Sequence, residues 1–167
     1  MRYFPAACAL SLLVAVTASV GEASPYVADP RAAALVAQGR AQLDAGKTSD
    51  AVDSFEAALA VDPGYTDIYL DLAEAARKDG MQGKAIHYYR VALTVQPDNL
   101  AAISGEGEAL LEKGAVEKAK RNLAKLETMC GGNCREAKEL ASAIDNAPRA
   151  ALVTAEAVTP DPVVTKN

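Results

Sequence analysis

The chain has 167 residues, a formal net charge of -5 and 50% apolar residues, of which few are aromatic and none is Trp. That acidic balance argues against unaided nucleic-acid binding, which needs clustered Lys and Arg to displace phosphate counterions. Abundant alanine and few β-branched runs beyond the N-terminal segment favour helix over sheet, because Ala loses least side-chain entropy in a helix, and the expected class is all-α.

Met1 to Ala23 reads as a secretory signal peptide. Arg2 supplies the positive end and residues 6–20 supply an apolar core of 15 residues, shorter than the roughly 20 needed to span a bilayer. Gly21 and Ala23 place the expected cut after Ala23, which leaves the mature chain without a stable membrane anchor. Cys8 lies before the apolar core and is expected to leave with it. This style of signal points to an exported bacterial protein, periplasmic or secreted, in a compartment where disulfides persist. Residues 24–31 form a short lead-in, where Asp29 serves as N-cap and Pro30 takes the first helical position, at which its missing N–H costs nothing.

Sustained helical patterning follows, and it repeats. A step of 34 residues joins Gly46, Gly80 and Gly114, and equally Ala51, Ala85 and Ala119, which divides the chain into units 32–65, 66–99 and 100–133. In the first half of each unit the small residues Gly39, Ala73 and Gly107 let a neighbouring helix approach, and Leu35, Tyr69 and Ile103 supply bulk one turn earlier. The recurring turn glycines suit the positive φ of a left-handed helix cap. In the second half, Ala51, Phe55 and Ala58, then Ala85, Tyr89 and Ala92, fall on one helical face, with Phe55 and Tyr89 as the knobs. Pro63 and Pro97 end these helices.

This pattern resembles the tetratricopeptide repeat, carried here by Leu35, Gly39, Gly46, Ala51, Phe55, Ala58 and Pro63, and again by Tyr69, Ala73, Gly80, Ala85, Tyr89, Ala92 and Pro97. The third unit departs from it, with Leu123 in the aromatic slot, Leu126 in the alanine slot and Gly131 in place of proline, as expected of a terminal repeat beside a cap. The resemblance implies an α-solenoid of three helical hairpins in a right-handed superhelix. Residues 134–145 then form a capping helix, with an apolar stripe of Ala137, Leu140, Ala141 and Ile144 backed by Arg135, Lys138, Glu139 and Asp145. Residues 146–167 contain three prolines and no lasting period, and are expected to form a flexible tail.

Cys130 and Cys134 flank two glycines and an asparagine, a spacing that allows the roughly 4.4–6.8 Å Cα separation of a disulfide. A staple between the last repeat and its cap is the expected reading; intermolecular pairing, a redox-active dithiol and a metal clip stay open. The spacing is not Cys-x-x-Cys, and His87, the one histidine, does not complete a zinc set without carboxylates. No oriented acid and nucleophile accompany His87 at helical spacing, so it reads as a partly exposed surface residue.

The resemblance further implies that the first helices line a concave groove. That places Val36, Arg40 and Leu43, then Leu70, Glu74 and Arg77, then Ser104, Glu108 and Leu111 on the groove wall. Some family members clamp a C-terminal carboxylate there with Lys and Asn; Val36, Arg40 and Asp71 do not supply that set, and the specificity is not carried over. The mixed lining suits an extended peptide or helix with a basic residue facing Glu74 and Glu108. The expected function is non-catalytic protein binding or scaffolding in the cell envelope, with a protein or peptide partner and no cofactor or metal. Two other classes remain: a structural subunit of a pilus or secretion complex, and a thiol-disulfide redox protein using Cys130 and Cys134. A fold alone does not fix the ligand.

Overall fold

Glycine and proline punctuation divides residues 26–147, the span that the computed structural model describes, into seven helices. They are α1 (Pro30–Asp44), α2 (Thr48–Val61), α3 (Ile68–Lys78), α4 (Gln82–Val95), α5 (Leu100–Glu112), α6 (Val116–Cys130) and α7 (Arg135–Asn146). The expected signal peptide lies outside the described residues, as does the expected tail from residue 148 onward; Asn146 still belongs to α7.

The helix ends follow local chemistry. Asp29 accepts a hydrogen bond from the Arg31 N–H at 2.8 Å and Pro30 opens α1. Gly46, Gly80 and Gly114 close the hairpins with φ of 73°, 72° and 81°, a region that costs an L side chain energy. Asn99 caps α5 by accepting from the Ala102 N–H at 2.9 Å.

α1 with α2, α3 with α4, and α5 with α6 pack as hairpins, and α2 on α3 and α4 on α5 stack one hairpin on the next. The first helices also touch one another, α1 with α3 and α3 with α5, whereas α2, α4 and α6 make no such contacts among the described residues. A stack closer on one side than the other bends toward the closer side, so α1, α3 and α5 form the inner layer of a solenoid. α7 packs on α5 and α6, in the place that a further first helix would take.

Fully buried Phe55 lies over Gly39, where a Cβ would stand 2.5 Å from the ring. Close packing makes such a contact possible only at glycine. In the third unit the small residue again admits a neighbouring helix, here the cap. Tyr89 packs over Gly105, while Gly107 receives Leu140 of α7. Ile103, Leu126, Ala137 and Leu140 then form a cluster that the cap completes. Leu126 is fully buried in the slot held by alanine in the other units, because here it faces α7 rather than another repeat. No described helix is long and apolar enough to cross a membrane.

Candidate interaction face

The inner face is built from α1, α3 and α5, and it brings only part of the expected lining to the surface. Val36 and Leu43 are 2% and 7% exposed and pack with Ala51 and Phe55 inside the first hairpin. Ser104 is 4% exposed; its hydroxyl donates to the Glu136 carbonyl at 3.1 Å and so ties α5 to α7. These three side chains offer a guest almost no surface. An inner helix has neighbours on both sides as well as its own hairpin partner, so its buried arc is wider than a simple two-helix contact would make it. Leu70 and Leu111 remain half-buried and flank the charged residues between them.

Both expected basic residues are already engaged across repeat boundaries. Arg40 of α1 donates to both oxygens of Asp71 on α3, at 2.8 and 2.9 Å. That hydrogen bond is the main cause holding the Arg40 guanidinium above its ordinary pKa. Arg77 of α3 meets Glu108 of α5 at 2.7 Å, Glu112 of α5 at 2.5 Å and Glu74 of its own helix at 3.3 Å. Burial opposes the Arg77 charge, but the hydrogen bond to Glu112 and the fields of Tyr89 and Glu108 more than offset it, and the guanidinium stays well above its ordinary value. Tyr89 beneath it is pushed up to about 12 by burial, with Arg77 acting in the opposite direction.

Three carboxylates on one guanidinium leave two formal negative charges unbalanced at this spot. Glu74 is the most open of the three, its side chain 42% exposed. The inner face therefore carries an anionic centre between two half-buried leucines.

Sequence reasoning missed the partners Asp71 and Glu112 and a buried bridge at Glu106. Arg90 of α4 donates to Glu106 at 2.7 Å, and Asn122 of α6 donates to both Glu106 and the Ile103 carbonyl. A signal for the ion pairs was present, since Arg40 to Asp71 and Arg77 to Glu108 share the same offset. That offset is one turn short of the repeat, which sets the residue beside its neighbour in the adjacent first helix.

Cys130 ends α6 and Cys134 stands at the N-cap of α7, with Cα atoms 5.8 Å apart and sulfurs at bonding distance. Gly131 and Gly132 between them both have φ of 69°, and both cysteines pack against the Leu126 and Leu140 cluster. His87 is exposed on α4 beside Tyr88.

Residues 36–99 match the family model of the tetratricopeptide repeat. No curated protein sequence matches the chain. Similar solved structures include the first repeat domain of Spaghetti (RPAP3) bound to the HSP90 peptide SRMEEVD, 20% identical, covering 71% of this chain and 97% of that chain, with a TM-score of 0.63. The Sgt2 domain from Aspergillus fumigatus is 23% identical, with coverage of 71% and 80% and a TM-score of 0.64. The Yersinia enterocolitica type III secretion chaperone SycD, in complex with a peptide of the translocator YopD, is 25% identical, with coverage of 68% and 86% and a TM-score of 0.59.

Proposed function

The chain is a tetratricopeptide-repeat protein, by sequence over residues 36–99 and by fold over all three hairpins, and from that premise we propose that it is a non-catalytic protein-binding module of the bacterial cell envelope. It holds an extended peptide or a helix of a partner protein against α1, α3 and α5. The observation that carries this reading is the anionic centre of Glu74, Glu108 and Glu112 around a single Arg77, set between Leu70 and Leu111 on the inner face. A guest with one basic side chain between two apolar ones complements it. The peptide held by SycD, a protein of the same fold, supports the class of partner. The signal-like residues 1–23 and the Cys130 and Cys134 pair, which we take as a formed disulfide, support the envelope.

The test uses the full chain in its host, with a photocrosslinking residue at Leu70 or Leu111. Both positions should capture the same partner, and Glu74→Lys should abolish capture while helicity is kept. Arg40 and Arg77 are unsuitable for charge reversal, since each holds two hairpins together. Capture that is indifferent to Glu74→Lys, or absent from both positions, would refute the inner face as the binding surface.

A further inference from the structure

A second surface lies away from the inner face, along the edge where second helices end and first helices begin. Val95 and Met129 hold equivalent places in the last turns of α4 and α6 and are 57% and 39% exposed; Tyr26 and Val27, just before α1, are 54% and 83% exposed. Four of the five large apolar side chains exposed among the described residues therefore share one edge. Between Tyr26 and Val95 this edge opens into a cavity of about 450 Å³. Its walls are the rings of Tyr26 and Tyr65, with centroids 6.1 Å apart, together with Val95, Thr66, Gln96 and Asp67.

The charge lining this cavity is acidic; Arg40, outside the lining and already paired with Asp71, is a cation that acts on Tyr65 and Asp67. No Lys or Arg lines it. Asp67 stands at the N-cap of α3 without a capping hydrogen bond, and its carboxylate has no ion-pair partner among the described residues. α4 directs its C-terminal end at the cavity with no basic residue in its last turn, so unpaired carbonyls and the negative end of the helix dipole add to the carboxylate. Tyrosine faces attract a cation through the ring quadrupole.

The repeat itself shows what completes such an edge. At the next boundary, Lys125 of α6 donates its ammonium to the Pro97 carbonyl at 3.0 Å. One period earlier, at the corresponding place beside the Pro63 turn, the residue is Val91. The cation present at one boundary is missing at the other, and the cavity lies at the boundary that lacks it.

We propose that this edge is a second protein-docking surface, and that it takes a partner segment whose lysine lies against Tyr26 and Tyr65 and reaches toward Asp67 while flanking apolar residues cover Val95. The inference is independent of the inner face. The probe is a blocked peptide, acetyl-Ser-Leu-Lys-Leu-Ser-amide, titrated into the full-length mature chain and followed by amide chemical shifts. Saturable shifts are expected at Gly64, Thr66, Asp67 and Gln96, with a dissociation constant on the order of millimolar for so short a ligand. Replacing the peptide lysine by norleucine, or Asp67→Asn in the protein, should weaken binding about fivefold. Val95→Asn should weaken it about threefold. Both protein sites are exposed, so neither substitution threatens the fold. An equal response to the norleucine peptide, shifts confined to Leu70, Glu74 and Leu111, or no saturable shift at all would overturn the proposal.

Discussion

Arg40 and Asp71 join the first hairpin to the second through two parallel hydrogen bonds, Nε to Oδ1 at 2.8 Å and Nη2 to Oδ2 at 2.9 Å. The fork geometry suits a carboxylate, but the arginine side chain is 56% exposed and water screens much of the attraction. A double-mutant cycle of Arg40→Gln and Asp71→Asn, read by urea unfolding, should give a coupling of about 0.5–1 kcal/mol that shrinks with added salt. A coupling within error of zero would show that the hairpins are held by apolar contact alone.

Arg77 is less exposed, at 18%, and answers three carboxylates rather than one. Arg77→Met keeps most of the volume but leaves Glu74, Glu108 and Glu112 to repel one another, and should cost about 2 kcal/mol, less than a fully buried pair because two of the glutamates are partly open. Arg77→Lys retains the charge without the fork and should fall between Met and the native residue. Equal stability of the Met and native proteins in denaturant melts would mean that the cluster contributes nothing to holding α3 against α5.

These two ion pairs mark the boundary of what the sequence made readable. Turn glycines, the Phe55 and Tyr89 knobs and the stripe of α7 recur at short fixed offsets, and helix geometry alone turns such offsets into faces. Apart from Glu74 beside Arg77 on the same helix, the inner-face charges read as free because their partners sit in the adjacent repeat, where adjacency depends on how closely the first helices stack. Val36, Leu43 and Ser104 were misplaced for the same reason: their burial comes from neighbouring helices, not from their own periodicity. The contact of Tyr26 with Asp62 had no sequence signal at all, since an unpatterned lead-in gives no register.

That lead-in contact sets a pH window. Asp62 accepts from the Asp29 N–H at 2.8 Å, from the Tyr26 hydroxyl and from the Gly64 N–H at 3.1 Å, and these bonds hold its carboxyl below the ordinary range. Loss of hydration, then the hydrogen bond to Asp62, pushes the Tyr26 phenol up to about 12. A depressed carboxyl contributes above its unfolded value of 3.8 and loses that contribution as pH falls through the folded value. A raised phenol contributes below its unfolded value of 10.0 and loses that contribution as pH rises through about 12. The strap should therefore stay docked across the neutral range and release at both extremes, and Asp62→Asn should lower the Tyr26 midpoint in an NMR titration. An unchanged midpoint would remove Asp62 as a cause.

With the bond formed, Cys130 and Cys134 close a loop of five residues between α6 and α7. So short a loop removes on the order of 2 kcal/mol of unfolded-state entropy. Cys130→Ser with Cys134→Ser should lower stability by about that amount and speed amide exchange in α7 and at the end of α6, while α1 and α2 keep their protection. Uniform loss of protection along the chain would show that the array unfolds as one unit instead of fraying from its cap.

Two glycines in neighbouring helices should respond to the same substitution with opposite signs. A Cβ on Gly105 would overlap the Tyr89 ring, which is buried and wedged between α4 and α5 and cannot retreat. Gly105→Ala should therefore destabilise by about 1–3 kcal/mol, the cost of overpacking exceeding the helical preference of alanine. A Cβ on Gly83, in the first turn of α4, meets nothing within 4 Å. Gly83→Ala should stabilise by about 0.5–1 kcal/mol through the entropy of the unfolded chain. Thermal melts of the two variants separate the effects, because propensity alone predicts a gain at both sites and only the Tyr89 contact reverses one of them.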